Sequence, residues 1–274
     1  MFVQCVEVNG IVMHYRARGD RTRPALVFCN SLGTDFRIWD AVAPAFEEEF
    51  FVVCYDKRGH GLTQATPPPY RIDDHVDDVI ALMDALAVGE AVLCGVSVGG
   101  LIAQGAAARL GERVRALVLC DTAARIGDTD TWQARIDTVA AGGIEALADG
   151  TMERWFTRAM RRDRPAEVAT WRNMLVRTPP DGYLGTMTAL RDADLTDDTD
   201  GLSVPTLVVV GDEDGSTPPE VVRGLSDLID ESEFHVIDGA GHLPSIERPG
   251  VLVDRMREFF ARFDLSGGAG DYHY

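Results

Sequence analysis

Three side chains in this sequence can perform acyl transfer if the fold brings them together: a serine on a glycine-flanked turn, a histidine and a carboxylate. Ser97 stands in Cys94-Gly95-Val96-Ser97-Val98-Gly99-Gly100, where the apolar run Ala91 to Cys94 gives way to the helix-forming run Leu101 to Leu110. G-x-S-x-G at such a junction marks a strand that turns sharply into a helix and lifts the serine hydroxyl clear of the sheet. The flanking glycines leave room where strand and helix backbones nearly touch. A serine hydroxyl is scarcely ionised at neutral pH, so it needs a base within hydrogen-bond reach. Of the six histidines, His242 is the best placed, in the loop Gly239-Ala240-Gly241-His242-Leu243-Pro244 after the last expected strand. Parallel sheets assemble their sites at such loops. His14, His75 and His235 fall inside expected elements and read as surface or satisfied residues, and His273 lies in the tail.

The base in turn needs an acid that fixes its tautomer and stabilises the imidazolium. Gly211-Asp212-Glu213-Asp214 follows an expected strand. Asp214 stands far enough beyond the strand end to fold back toward the histidine loop, whereas Asp212 suits a turn cap. Asp121, after the preceding strand, is the third choice. The tetrahedral oxygen requires two backbone N–H donors. Val98, directly after the serine, supplies one, and Leu32 in Asn30-Ser31-Leu32-Gly33 supplies the other. A further loop, Asp56-Lys57-Arg58-Gly59-His60-Gly61, contains a rival base and a rival cation but reads as scaffold.

These residues need a frame. Phe2 to Val8 and Val12 to Ala17 alternate as strands around the turn signal Asn9-Gly10. Pro24 to Asn30, Phe50 to Tyr55, Ala91 to Cys94 and Val114 to Cys120 are apolar runs expected of strands buried on both faces. Helices are expected over Phe36 to Phe46, Asp73 to Leu86 and Leu101 to Leu110. From Ala123 to about Ser203 the sequence shows helical stretches and no strand. Alternation then resumes with strand Pro205 to Val210, helix Pro219 to Leu228, strand Glu233 to Ile237 and helix Val251 to Phe263. The fold class is therefore α/β: a mostly parallel sheet covered by helices on both faces, with a helical cap insertion. The expected division is a core of residues 1–122 and 204–265, a helical cap of 123–203, and a disordered tail of 266–274.

Composition narrows the function. There are 26 basic against 44 acidic residues, for a formal charge of −18, and the single lysine is Lys57. Such a chain repels nucleic acid and anionic membranes, so neither is expected as a partner. The five cysteines, Cys5, Cys29, Cys54, Cys94 and Cys120, sit in or beside expected strands without metal-ligand spacing. They read as small core residues in a reducing compartment, with no metal and no cofactor implied. With no leader pattern and no apolar run of membrane-spanning length, a soluble cytoplasmic protein is the expectation.

The chain order Ser97, Asp214, His242 is that of the α/β-hydrolases, and residues 1 to about 264 resemble that superfamily. More closely, the chain resembles the 3-oxoadipate enol-lactonases of aromatic-compound catabolism. The stretches that carry the likeness are Asn30-Ser31-Leu32-Gly33-Thr34, Cys120 to Gly127, Trp132-Gln133-Ala134-Arg135-Ile136, Glu153-Arg154-Trp155-Phe156-Thr157 and Arg191-Asp192-Ala193-Asp194-Leu195. Asn30-Ser31 replaces the His-Gly common in the superfamily, a variant these lactonases share. The resemblance implies a small-molecule partner, an enol-lactone carrying a carboxylate, opened through an acyl-enzyme. The insertion must then supply a cation, because the net charge repels an anion. Of its ten arginines, Arg135 shares a helical face with Trp132, Ile136 and Val139 and is expected to point inward, with Trp132 lining the pocket. Arg154, Arg158, Arg161 and Arg162 lie opposite an apolar stripe and read as solvated. Two other functions fit the same triad: a carboxylesterase or other lactonase, and a hydrolase-fold ligand receptor without turnover.

Overall fold

The hairpin opens as its turn dictates. β1 (Gln4–Val8) pairs antiparallel with β2 (Ile11–Arg18) in a register that sets Val8 against Ile11, and Asn9 and Gly10 both adopt positive φ (47° and 74°). That backbone matches the right-handed twist of the strands. In the computed structural model, which describes residues 3–266, six more strands follow: β3 (Ala25–Cys29), β4 (Phe51–Tyr55), β5 (Ala91–Val96), β6 (Val114–Cys120), β7 (Thr206–Gly211) and β8 (Ser232–Ile237). They form one eight-stranded sheet in the order β1-β2-β4-β3-β5-β6-β7-β8. Pairings from β4 through β8 are parallel, and β2 runs antiparallel to β4.

Every residue of β3, β4, β5 and β7 is buried. Successive side chains alternate between faces, so both faces must be covered. The covering helices are α1 (Ile72–Ala85), α2 (Val98–Leu110), α9 (Pro219–Leu228) and α11 (Pro249–Arg262). In α2 every residue from Val98 to Ala107 is buried, as befits the central helix.

Between β6 and β7 stand α3 (Thr129–Gly142), α4 (Glu145–Trp155), α5 (Arg158–Asp163), α6 (Pro165–Val176), α7 (Pro180–Asp192) and α8 (Thr196–Asp200), with no strand among them. This helical insertion is tied to the core through Gln104 of α2. Its side-chain amide donates to the carbonyl of Ala123 (3.2 Å) and its oxygen accepts from Thr199 Oγ1 (2.8 Å). Both ends of the insertion are thereby pinned to the helix that begins at Ser97.

Three sequence expectations need correction. Phe36 to Phe46 forms two 3₁₀ turns, Phe36–Trp39 and Ala43–Phe46, rather than one helix. Pro44 has no N–H for a continuous helix and its ring blocks the preceding turn, while burial of Phe36, Ile38, Trp39 and Phe46 holds the two turns. Cys5 is exposed on β1, an edge strand, whereas the other four cysteines are buried free thiols. A short helix, α10 (Pro244–Glu247), follows the histidine loop, and α11 starts two residues early, at Pro249. Of the expected tail, residues 267–274 lie outside the described residues.

Candidate active site

The site is built at the carboxyl ends of the parallel strands, with each functional group on the loop after its own strand. Ser97 follows β5 with φ 58° and ψ −123°, a conformation foreign to residues with a Cβ. Its backbone is held there: the Ser97 N–H donates to the Cys120 carbonyl (3.1 Å), and Thr122 Oγ1 donates to the Ser97 carbonyl (2.7 Å). The flanking glycines are required by contact. A Cβ on Gly95 would lie 2.1 Å from the Gly99 carbonyl oxygen, and one on Gly99 2.2 Å from that of Cys29.

His242 follows β8 and is almost fully buried; its Nδ1–H donates to both oxygens of Asp214, at 3.0 and 2.9 Å. This fixes the tautomer and leaves Nε2 free to take a proton. Asp214 also accepts from the Ser216 N–H (2.7 Å), the Thr217 N–H (3.2 Å) and Thr217 Oγ1 (2.7 Å). Burial pushes its pKa up, but His242 and these donors outweigh burial and hold it below the usual carboxylate range. Asp212 takes the turn-cap role, accepting from the N–H groups of Gly239 (2.7 Å) and Ala240 (3.2 Å). It shapes the loop that carries His242.

Asp121, the third acidic choice, is buried beside this pair. One oxygen accepts the Gly211 N–H at 2.9 Å and the other has no partner among the described residues. Burial, then the charge of Asp214, raise its pKa well above the carboxylate range. Asp121, Asp214 and His242 place their ligating atoms within 4.8 Å of one another, the one such group among the described residues. His242 Nδ1 and both Asp214 oxygens are already engaged with each other, so these atoms serve the imidazole rather than a cation.

Ser97, His242, Leu32, Trp132 and Arg135 line one cavity, with Val98 at the start of α2 directly behind the serine. The cavity is narrow, with a volume of about 50 Å³. Neither the Leu32 nor the Val98 backbone N–H has an acceptor among the described residues. Two unspent donors beside a nucleophile are what a developing oxyanion needs. A larger opening of about 490 Å³, lined by Phe36, Arg37, Leu62, Met174 and Arg177 among others, contains none of Ser97, Asp214 and His242.

Arg135 stacks over the Trp132 ring at 4.9 Å from its centroid, and Trp132 is locked by its Nε1–H bond to the Ile126 carbonyl (2.6 Å). Arg154, expected in solvent, instead lines the same cavity. The stripe that placed it outside assumed one helix, but the backbone breaks at Phe156 between α4 and α5. Six insertion arginines, namely Arg125, Arg161, Arg162, Arg164, Arg172 and Arg191, pair with carboxylates. Arg135 and Arg154 have no carboxylate partner among the described residues. Burial and the like charge of Arg135 lower the Arg154 pKa, and burial pushes the Tyr183 hydroxyl up to about 12 against the opposing charges of Arg154 and Arg135.

α4 also meets the loops that carry His242 and Asp214 through backbone. The His242 N–H donates to the Trp155 carbonyl (2.9 Å) and the Gly215 N–H to that of Arg154 (3.2 Å). Glu247 of α10 accepts from the Gly241 N–H and from Thr157 Oγ1, both at 2.7 Å. The rival loop is structural: Arg58 is paired with Asp78 at 2.7 Å, and His60 Nδ1–H donates to the Arg58 carbonyl while Nε2 accepts the Gly33 N–H, both at 3.0 Å.

A strained serine after β5, an acid after β7 and a histidine after β8 on this sheet define a class, and residues 24–249 match the family model for the alpha/beta hydrolase fold. The chain belongs to the α/β-hydrolase family and is a hydrolase of the kind that cleaves esters or lactones. Its relatives narrow this further. It is 34% identical over 263 residues to 3-oxoadipate enol-lactonase 2 of Acinetobacter baylyi, spanning 96% of this chain and 98% of that one. It is 33% identical over 247 residues to 3-oxoadipate enol-lactonase 1 of the same organism, spanning 89% and 91%. The crystal structure of the enol-lactonase from Burkholderia xenovorans LB400 superposes with a TM-score of 0.90 at 36% identity, covering 94% of this chain and 100% of that one.

Proposed function

We propose that this protein opens 3-oxoadipate enol-lactone to 3-oxoadipate through an acyl-enzyme. The observation that carries the reading is the pair of guanidiniums, Arg135 and Arg154, left without carboxylate partners in the Ser97 cavity. In a chain of net charge −18, two unneutralised cations beside a nucleophile fit a substrate with its own carboxylate. The identity to two enol-lactonases along nearly the whole chain supports the same substrate.

In this mechanism His242 Nε2 takes the Ser97 proton as Oγ attacks the lactone carbonyl carbon. The carbonyl oxygen becomes an oxyanion and rests on the N–H groups of Leu32 and Val98. Collapse breaks the ring C–O bond and expels the enolate, a better leaving group than an alkoxide, which takes the proton from the imidazolium. The enol becomes the ketone. Water, deprotonated by the same nitrogen, attacks the ester carbonyl and releases the acid and Ser97. Asp214 keeps the imidazole oriented and stabilises its charged form throughout. Arg135 and Arg154 hold the substrate carboxylate, and the 123–203 segment acts as a cap over it.

The test is parallel hydrolysis of the enol-lactone and p-nitrophenyl acetate, with Ser97→Ala and His242→Ala as controls. The expected result is a strong preference for the enol-lactone and a fall in kcat of about 10⁴-fold or more in each control. Preference for the plain ester would overturn the substrate assignment, and an active Ser97→Ala protein would overturn the mechanism.

A further inference from the structure

Lys57 is the only lysine in the chain and is 1% exposed, on the loop after β4 that otherwise reads as scaffold. It forms no ion pair with a carboxylate among the described residues. Its Nζ instead donates to the Ser31 carbonyl, and at 3.5 Å to the Thr34 carbonyl. Both carbonyls belong to the loop after β3 that contributes Leu32 to the Ser97 cavity.

The two N–H groups that follow Leu32 in that loop are both spent. The Gly33 N–H goes to His60 Nε2 (3.0 Å), the Thr34 N–H goes to the Ser31 carbonyl (3.3 Å), and the Asn30 side-chain amide goes to the Thr34 carbonyl. His60 can accept because burial and then the charge of Lys57 hold its pKa well below the usual imidazole value, keeping Nε2 unprotonated. Of the backbone N–H groups of Leu32, Gly33 and Thr34, only that of Leu32 has no acceptor among the described residues.

The Ser31 carbonyl and the Leu32 N–H are two ends of one peptide group. A donor on the oxygen fixes the plane of that peptide and draws electron density from the nitrogen, so the N–H becomes a stronger donor. Burying an amine on backbone carbonyls is expensive compared with an apolar side chain of the same size, and Thr34 already has a neutral donor in Asn30. That cost is intelligible if the amine has work to do at the far end of the Ser31–Leu32 peptide.

We propose that Lys57 is a positioning residue of the oxyanion hole: its buried head group holds the Ser31 carbonyl, and through that peptide it aims and polarises the Leu32 N–H at the oxygen that becomes negative. This rests on the assignment of Leu32 as an oxyanion donor above. Lys57 touches no reacting atom, and its effect belongs to the tetrahedral state rather than to substrate binding.

The experiment compares wild type, Lys57→Met and Lys57→Gln with whichever ester or lactone the wild type turns over. Each protein is also titrated with a trifluoromethyl ketone, which adds to the serine as a tetrahedral oxyanion, and with 3-oxoadipate, which does not. Lys57→Met is expected to lower kcat about 10- to 100-fold, part of the 10²–10³ lost with a whole donor. KM should change by no more than about twofold, as for an interaction made only in the transition state. Affinity for the ketone should fall by the same factor as kcat, and affinity for 3-oxoadipate should hold. An unchanged kcat, or equal weakening of ketone and dicarboxylate, would overturn the proposal, because a loosened loop harms both. If the Met protein does not fold, Lys57→Gln, which still offers the carbonyl a neutral donor, is read by the same criteria. Failure of the wild type itself to turn over any ester or bind the ketone is a different outcome, since it removes the acyl-enzyme reading before any variant is compared.

Discussion

Replacing Ser97 by glycine should make the protein more stable than replacing it by alanine. Ser97 sits at φ 58°, ψ −123°, where a residue with a Cβ carries about 1–3 kcal/mol of strain. Ser97→Ala removes only the hydroxyl oxygen and keeps the strain. Ser97→Gly releases it, at a cost of about 0.5–1 kcal/mol because glycine gives the unfolded chain more freedom. The backbone bonds to Cys120 and Thr122 that hold the turn survive in both variants. Taking the middle of each range, the net difference is about 1 kcal/mol in favour of glycine, or a Tm gap of about 2–4 °C for a chain of this size. Both proteins lack the Ser97 hydroxyl, so its loss cannot confuse the comparison. Calorimetric melting of the two variants side by side is the assay. A glycine variant that melts with or below the alanine variant would show that the turn is unstrained and that Ser97 is not held at a cost to stability.

Other outcomes follow from the charges around it. The folded protein raises the Asp121 pKa, so its contribution to stability is complete below the unfolded carboxylate pKa of about 4 and drains away as pH rises toward the folded value. Asp121→Asn should therefore gain on wild type between pH 5 and pH 8 in thermal melts, and a constant gap would refute the buried protonated carboxyl. Arg154→Met should lower kcat/KM for the carboxylate-bearing lactone about 10- to 100-fold, the worth of a charge-assisted hydrogen bond, while sparing p-nitrophenyl acetate. Equal losses on both substrates would make Arg154 a structural residue.

The parts of the candidate site whose positions are legible in the sequence are those governed by local chemistry. The serine turn is legible because Gly95 and Gly99 have no room for a Cβ, and Asp214 and His242 because each lies just past the end of a parallel strand. Arg135 was legible because α3 continues unbroken from Thr129 to Gly142, so helical spacing is valid along it. Arg154 was misplaced because the same spacing was extended across the Phe156 break, which no single Pro or Gly announces. The Phe36–Phe46 segment failed for a related reason, with tertiary burial of Trp39 and Phe46 overriding a helical pattern that Pro44 had already weakened. The pairing of Asp121 with Asp214 and the seat of Lys57 under Ser31 depend on contacts between loops from different strands, and linear spacing carries no trace of those.

The backbone bonds from His242 and Gly215 to the end of α4 bear on how such an enzyme can change its substrate. The insertion leaves the core after β6 and rejoins it at β7, so those two crossings look like the natural places to exchange one specificity module for another. The seam that matters runs elsewhere, through Arg154 and Trp155. A chimaera cut at the two crossings would import a foreign α4 and misplace the base and acid loops together. One that kept residues 145–157 and recombined only the helices around them would retain a working hydrolase. Substrate range in this architecture is thus free to drift on α3 and α7, which also line the cavity, while α4 is inherited with the Asp214 and His242 loops.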